Sequence, residues 1–521
     1  MTQTHSKFGE LPRPVGKVYL VGAGPGDPGL ITLKGLSSLR QADVVVYDQL
    51  ANPVLLNEVP DAAEKIYVGK KAGNHSLRQE KINELLVQKA RHHAVVVRLK
   101  GGDPFIFGRG GEEALFLKKS GVPFEVVPGV TAGVAALAYA GIPATMRGLD
   151  SSVTFVTGHE DPTKTESQLD WVSLARGKGT LIFYMGVAQL PNIVAQLLAK
   201  GKSPKTPVAL IQNGTQPDQR VIEGTLDSIV PKARDAGVAP PALIVVGQVV
   251  SLRRELDWFG TRPLKGKRVV VTRARHQAGQ LAALLRELGA EAIELPTIRI
   301  EPPRSWEPVD ALISRRTRPD WVVFTSENGV TQFCERLRTH GLDARWFAGS
   351  RIAAIGPGTS RALRRFGLEP DLQPEQFVAE SLAKALLSRG VEGKQIALLR
   401  AEKTRDFLAR TLSEAGARVE DFPVYRTLPE ENSRAVWERL FSERGILPDW
   451  VLFTSSSTAE NFARLFSPEE LKKIKDSVKF ASIGPITTQS AQKAGLPITV
   501  EAEEFTISHL VQRILKYETE L

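Results

Sequence analysis

Residues 18–35 read VYLVGAGPGDPGLITLKG: a short apolar run, then a loop holding Gly22, Gly24, Gly26 and Gly29 with Pro25 and Pro28, then a segment of helical period. Such a passage is a β-strand delivered through a glycine-rich loop into a helix. The rhythm continues down the first half. Val18–Val21, Val44–Tyr47, Val95–Leu99, Phe124–Val127, Val153–Thr157, Thr180–Tyr184, Val208–Ile211 and Leu243–Val246 have the composition of buried strands, and Leu33–Arg40 and Gln79–Ala90 have helical spacing. Strands alternating with helices predict an α/β architecture with largely parallel sheets.

The loop Gly24–Gly29 formally matches G-x-G-x-x-G, and Asp48 ends the second strand where the acid of a dinucleotide-binding fold would stand. An NAD-dependent dehydrogenase is therefore one reading. Against it, Pro25 and Pro28 remove amide donors that a pyrophosphate cradle needs. Two more loops of similar type, Gly101–Glu113 and Pro128–Gly133, are not required by a dinucleotide fold. Several backbone loops meeting at one cleft suit an adenosine-containing ligand without a pyrophosphate.

The chain has 521 residues, enough for more than one domain, with a net charge of +10. The charge is spread: residues up to Leu264 hold 30 basic and 24 acidic side chains, and those beyond it 38 and 34. No basic block or aromatic-basic motif marks a nucleic-acid surface, and diffuse positive charge suits acidic small molecules. The single cysteine, Cys334, excludes disulfide frameworks and multi-cysteine metal sites, and no metal is expected. Residues 1–15 read as a flexible tail without a signal-peptide core. The longest uncharged stretch, Val126–Met146, is broken by Pro128, Gly129, Gly133, Gly141 and Pro143, so it reads as a buried loop-helix-loop. A cytoplasmic protein without membrane spans is expected.

A linker is expected at Asp257–Lys267, its core at 260–265. Beyond it the sequence is duplicated. Pro319–Ser326 (PDWVVFTS) recurs as Pro448–Ser455 (PDWVLFTS), Ile355-Gly356-Pro357 as Ile483-Gly484-Pro485, and Arg273, Pro296 and Arg299 as Arg400, Pro423 and Arg426. A period near 128 residues implies two similar α/β lobes with a cleft between them. Turns holding Thr325-Ser326, Gly356, Thr454–Thr458 and Gly484 open helices in both repeats, and helix starts with free amides and hydroxyls are anion sites. Tyr425 breaks the symmetry: its counterpart is Ile298, so one lobe carries a phenol where the other carries a hydrocarbon.

With these features in view, the first half resembles the uroporphyrinogen-III C-methyltransferases. VGAGPGDPGLITLKG, ADVVVYDQL, VGKKAGNHS, VVRLKGGDPFIFGRGGEE, VPGVTAGVAALAYAGIPAT, TGH, FYMG and PALIVVGQVV follow that family's order from about Lys17 to Phe259. The resemblance implies a tetrapyrrole-methylase fold of two α/β subdomains over residues 16–259 and a homodimer through this domain. It implies S-adenosylmethionine as methyl donor and two methylations of uroporphyrinogen III, giving precorrin-2. It places adenosylmethionine contacts on Pro25, Gly101, Gly102, Asp103, Ile106, Thr131, Ala132, Met185, Gly214 and Ala242, and marks Asp48 and Lys70 as acid-base residues. Asp48 also reads as a strand-end cap, and Lys70 equally as a solvated lysine. Arg109, Glu112 and Arg147 are further catalytic candidates, and the two arginines suit substrate carboxylates as well. Where the family often has Thr-His-Arg after Gly-Ile-Pro, this chain has Thr145-Met146-Arg147, so no proton-transfer role carries to Met146. The short tail leaves no room for a preceding dehydrogenase-chelatase domain, so precorrin-2 is expected to leave unoxidised.

The remainder, 266–521, resembles uroporphyrinogen-III synthase. VVVTR, PTIRIEP, DWVVFTSENGV, IAAIGPGT, VAESLAKAL, GKQIALLRA, FPVYRT, DWVLFTSSST and FASIGPITTQSA stand in that family's order. The resemblance implies cyclisation of hydroxymethylbilane with loss of water and inversion of the last ring, with Tyr425 assisting departure of the hydroxyl. It implies interwoven lobes, about 266–299 plus 427–521 and about 300–426. Thr325, Ser326, Thr454, Ser455 and Gly484 are the expected substrate contacts. The expectation is a bifunctional enzyme acting on polycarboxylate tetrapyrroles. The alternative is a methyltransferase fused to an inactive tetrapyrrole-binding or regulatory module.

Overall fold

The computed structural model describes residues 15–69, 78–158, 169–404, 406–442 and 447–520. The expected tail, 1–14, and Lys70 lie outside the described residues. The chain forms two compact units, Met1–Gly266 and Lys267–Leu521.

In the first unit β1 (Lys17–Gly22), β2 (Val44–Tyr47), β3 (Glu64–Tyr67), β4 (Val95–Lys100) and β5 (Phe124–Val127) form one sheet in the order β3-β2-β4-β1-β5. All its pairs are parallel. Apolar runs such as Val44-Val45-Val46 are buried because helices cover both faces: Val44 and Val46 join one core, and Val45 the other.

The second sheet contains β6 (Val153–Thr157), β7 (Thr180–Tyr184), β8 (Pro207–Gln212), β9 (Arg220–Thr225) and β10 (Ala242–Val246) in the order β6-β7-β10-β8-β9. Here the expectation of parallel pairing fails. Only β6 and β7 are parallel; β10 runs antiparallel to β7 and β8, and β8 to β9. The edge strand β9, RVIEGT, carries two charges and no buried residue, so the apolar pattern does not reveal it. With β9 following β8 after a short turn, no helical crossover intervenes and antiparallel pairing results.

The stretch Val126–Met146 runs from β5 through a loop into the helix Ala132–Tyr139. No described helix is long and apolar enough to cross a membrane. Residues 260–265, expected as linker, fold against the first unit, where Phe259 and Leu264 are buried. The Trp258 indole donates to the Ala138 carbonyl at 2.9 Å, and the Phe259 and Tyr139 rings lie 4.8 Å apart. Turn residues Gly260 and Pro263 suggest a spacer, but the flanking aromatics anchor the segment.

The second unit contains β11 (Arg268–Val271), β12 (Glu291–Glu294), β13 (Ile298–Glu301), β14 (Trp321–Phe324), β15 (Arg351–Ala354), β16 (Gln395–Ala401), β17 (Arg418–Pro429), β18 (Trp450–Phe453), β19 (Lys479–Ser482) and β20 (Val500–Glu501). They form two sheets, β12-β11-β18-β19-β20 and β13-β17-β16-β14-β15. The repeat is visible in their order, since β17-β16-β14-β15 reproduces β12-β11-β18-β19. The chain leaves the first sheet after β12 and returns to it through the long β17, which pairs antiparallel with β13. Ion pairs brace this crossing: Arg426 with Glu301 at 3.1 Å, and Arg299 with Glu301 and Glu431, both at 2.8 Å.

The C-terminal helix Ile507–Thr519 locks onto the first of these sheets through Glu518, whose side chain is 4% exposed. Its carboxylate accepts from the Trp450 indole at 2.8 Å, Lys479 at 2.9 Å and Lys267 at 2.5 Å. Burial alone would raise the Glu518 pKa, but these donors outweigh it and hold the group at about 2. A depressed carboxylate stabilises the fold above its unfolded pKa and loses that contribution as pH falls through the folded value. Glu518→Gln is therefore expected to destabilise the second unit by roughly 3 kcal/mol at neutral pH. In urea titrations the gap from the wild type narrows as pH falls from 4.5 to about 2.

Candidate functional site

In the first unit, loops leave the carboxyl ends of β1, β4 and β5 and touch one another. Gly24 and Gly102 exchange backbone hydrogen bonds of 3.2 and 2.8 Å. A Cβ on Gly129 would stand 2.3 Å from the Gly102 carbonyl oxygen, and one on Gly22 would stand 2.5 Å from the Gly129 Cα. Only glycine permits this approach. Asp103 ties the arrangement down, accepting from the amides of Gly129 at 3.0 Å and Phe105 at 2.8 Å. Its carboxylate thus braces two loops.

The second sheet contributes from the other side. The Tyr184 hydroxyl at the end of β7 lies 2.7 Å from the Thr131 hydroxyl and accepts from the Gly133 amide at 2.6 Å. The Phe107 ring packs 5.0 Å from that of Tyr184. The Asp27 amide donates to Thr215 at 2.9 Å, joining the Pro25 loop to the loop of Gly214. Ala242 pairs with Gln212 beside that loop. These contacts link the segments carrying Pro25, Gly101, Gly102, Asp103, Ile106, Thr131, Ala132, Gly214 and Ala242. Met185 follows Tyr184 directly and is exposed. Among the described residues, the non-glycine positions with positive φ are Phe107, Arg109, Met185, Asn213 and Thr215, all in these loops. Left-handed conformations of this kind are strained by about 1–2 kcal/mol each and gather at functional sites.

Of the acid-base candidates, Asp48 directly follows β2, with Oδ2 3.0 Å from Arg98 Nη2 and Oδ1 accepting the Leu50 amide at 3.1 Å. Arg98 belongs to a buried cluster that the sequence reading did not single out. Arg98 and Lys100, 3% and 4% exposed, both reach Glu113 Oε1, at 3.2 and 3.0 Å, and Gln79 donates to the same oxygen at 3.1 Å. Glu113 is fully buried and its Oε2 has no partner among the described residues. Burial, reinforced by Arg98, lowers the Lys100 pKa against the opposing pull of Glu113. The available signal was in VVVRLK, where two cations interrupt an apolar strand on alternate positions. Arg109 and Glu112 face each other in an exposed bidentate pair at 2.9 and 2.7 Å, so each neutralises the other. Arg147 is exposed and forms no ion pair with described residues.

In the second unit both lobes have the 2-1-3-4 strand order of doubly wound sheets. Ligands of such folds bind at the carboxyl ends of the strands where the order reverses. Those points are β11/β18 in one lobe and β16/β14 in the other. A cleft of about 310 Å³ lies there, lined from both lobes by Arg273, Ser326, Glu327, Tyr425, Thr454 and Ser455 among others. Thr325 and Gly484 do not line it; Gly356, the repeat partner of Gly484, does. Ser326 and Ser455 cap the helices that follow, accepting from Gly329 at 3.0 Å and Thr458 at 3.4 Å. Tyr425 is 7% exposed, with its hydroxyl 3.0 Å from that of Ser326. Burial raises its pKa, partly opposed by hydrogen bonds with Ser326 and Asn328, so the phenol is protonated at neutral pH. Cys334 is buried, its thiol pushed up to about 12 by desolvation, which makes it unreactive.

Comparison with known proteins assigns each unit. Residues 17–230 match the family model of tetrapyrrole (corrin/porphyrin) methylases, and residues 279–512 match that of uroporphyrinogen-III synthase HemD. The porphyrin biosynthesis protein HemD of Ruminiclostridium josui is 38% identical over 504 residues, 96% of this chain and 98% of that protein. The S-adenosyl-L-methionine-dependent uroporphyrinogen III methyltransferase of Methanosarcina barkeri is 56% identical over 237 residues, 46% of this chain and 93% of that protein. Among solved structures, the uroporphyrin-III C-methyl transferase of Thermus thermophilus complexed with S-adenyl homocysteine is 43% identical, with a TM-score of 0.39, covering 46% of this chain and 100% of that one. The chain belongs to the family of fused tetrapyrrole methylases and uroporphyrinogen-III synthases, a methylase in its first half and a synthase in its second.

Proposed function

We propose that the chain cyclises hydroxymethylbilane to uroporphyrinogen III on residues 266–521 and methylates that product twice, to precorrin-2, on residues 16–259. The observation that carries this reading is the conjunction of two built sites on one chain. One is a strained, glycine-lined convergence of loops; the other is a two-lobed cleft with a buried phenol. Kinship with both families, over nearly the full length of a 38% identical relative, supports it. The dehydrogenase reading and the inactive-module reading are disfavoured by the same matches.

The loops of the first unit fit S-adenosylmethionine. The amides of Thr131 and Ala132, at the start of a helix with no side-chain cap, have no partner among the described residues and are free for a carboxylate. Gly102 holds φ +66 with open space where a Cβ would stand. Pro25, Gly101, Gly102, Asp103, Ile106, Thr131, Ala132, Met185, Gly214 and Ala242 would hold the donor, which brings an electrophilic methyl group. The residues' own work is to align the pyrrole carbon and exclude water. Asp48 and Lys70 are the groups proposed to handle the ring proton. Arg98 orients the Asp48 carboxylate, and Arg109, Glu112 and Arg147 are further residues proposed to serve the reaction, the two arginines by receiving substrate carboxylates.

In the second unit Tyr425 Oη donates its proton to the departing hydroxyl, leaving as water, and Ser326 orients the phenol. The helix starts at Ser326, Ser455 and Gly484, with the preceding Thr325 and Thr454, hold substrate carboxylates so that the linear chain folds on itself. A net charge of +10 favours both polycarboxylate clefts. The setting proposed is a cytoplasmic homodimer joined through the methylase domain, without nucleic-acid, membrane or metal partners, feeding sirohaem or cobalamin formation.

Two substitutions separate the activities. Tyr425→Phe is expected to slow cyclisation by roughly 10²-fold or more while methylation of supplied uroporphyrinogen III is unchanged; equal loss of both contradicts two independent sites. Glu113→Gln strips the acid from Arg98 and Lys100, and breaking a buried pair typically destabilises by about 3–5 kcal/mol. Urea titration of the first unit and a methylation assay are expected to show loss, with cyclisation retained.

A further inference from the structure

The internal repeat isolates one cation. Strands β11 and β16 occupy the same place in their lobes, and their registers match: Val271 lies opposite Glu294, and Leu398 opposite Asp421. Two residues further along stand Arg273 and Arg400. In one lobe Arg400, 2% exposed, is held by Asp421, with Nε 2.8 Å from Oδ1. In the other lobe the matching acid, Glu294, is occupied by Arg286, whose Nη2 lies 3.2 Å from its carboxylate. The residue matching Arg286 in the second lobe is Ser413, which cannot form that pair. The repeat has therefore exchanged partners, and Arg273 has lost the acid that its copy keeps.

Among the described residues Arg273 makes no hydrogen bond or ion pair, yet it is half-buried and lines the cleft. Burial and the nearby Arg361 work against its charge; the Glu327 carboxylate, beyond ion-pair distance, works for it. A desolvated guanidinium without a carboxylate is unfavourable unless a ligand brings one. Arg273 also follows β11 at the β11/β18 switch point, where a ligand is expected.

We propose that Arg273 is the fixed anchor for one carboxylate side chain of the linear tetrapyrrole, gripping it bidentately from the lobe opposite the Tyr425 strand position. The proposal rests on the second unit being the cyclisation site. The two departures from repeat symmetry then divide the work. Arg273 fixes the direction in which the substrate lies, and Tyr425 meets the hydroxymethyl end.

The test uses the whole chain and steady-state cyclisation of hydroxymethylbilane. Arg273→Gln is expected to raise KM by roughly 10–100-fold with little change in kcat, as for loss of a charge-assisted hydrogen bond, and Arg273→Lys to recover part of the loss. Arg286→Ser, outside the cleft, releases Glu294 to capture Arg273 as Asp421 captures Arg400, so KM is expected to rise there also. Adding Glu294→Gln to Arg286→Ser is expected to restore it, which a folding defect at Arg286 would not allow. If the wild type forms type III product while Arg273→Gln keeps its KM within twofold, or if the double variant shows no rescue, the anchor assignment is overturned. If the wild type forms only the type I ring, the cyclisation reading fails instead.

Discussion

Parallel strands sharing a sheet end on the same edge, and both candidate sites depend on that constraint. β1, β4 and β5 release their loops together, as do β11 with β18 and β14 with β16. Backbone leaving a sheet has lost its ladder partners, so these edges hold polar groups seeking bonds. The first unit resolves this by pressing loops on one another at Gly22 and Gly129, where no side chain would fit, against the Gly102 carbonyl. The second resolves it by starting helices at Ser326 and Ser455, with hydroxyl caps. Strain and unfilled donors are thereby concentrated where a ligand can use them.

Duplication supplies the second cleft with its walls, and departures from duplication make the two walls unlike. Two equal lobes would present the same groups twice and leave a linear substrate free to lie in either direction. The phenol in place of Ile298 and the partner exchange around Glu294 give the cleft a sense. The crossing of β13 and β17 keeps the two lobes in one unit through a backbone ladder and the ion pairs of Arg299 and Arg426.

Much of this was legible in the sequence. Buried parallel strands announce themselves as apolar runs, and the repeat was plain because PDWVVFTS and PDWVLFTS fill equivalent buried strands. The cleft candidates Ser326, Tyr425, Thr454 and Ser455 followed from helix-start chemistry and a broken symmetry. What escaped depended on pairings between distant residues. The antiparallel half of the second sheet hinges on β9, whose charged, half-exposed residues carry no periodic signal. The Arg98–Glu113–Lys100 cluster joins a strand to the next helix, so neither segment reveals it alone. Arg273 looked like any repeated arginine until register showed its acid held by Arg286.

The decisive measurement is product analysis when the purified chain is given hydroxymethylbilane and S-adenosylmethionine, resolved by ring isomer and by mass. Two cooperating sites yield a type III macrocycle carrying two added methyl groups. Recovery of the type I isomer, or of type III product without added methyls, would contradict the assignment of both activities to this chain.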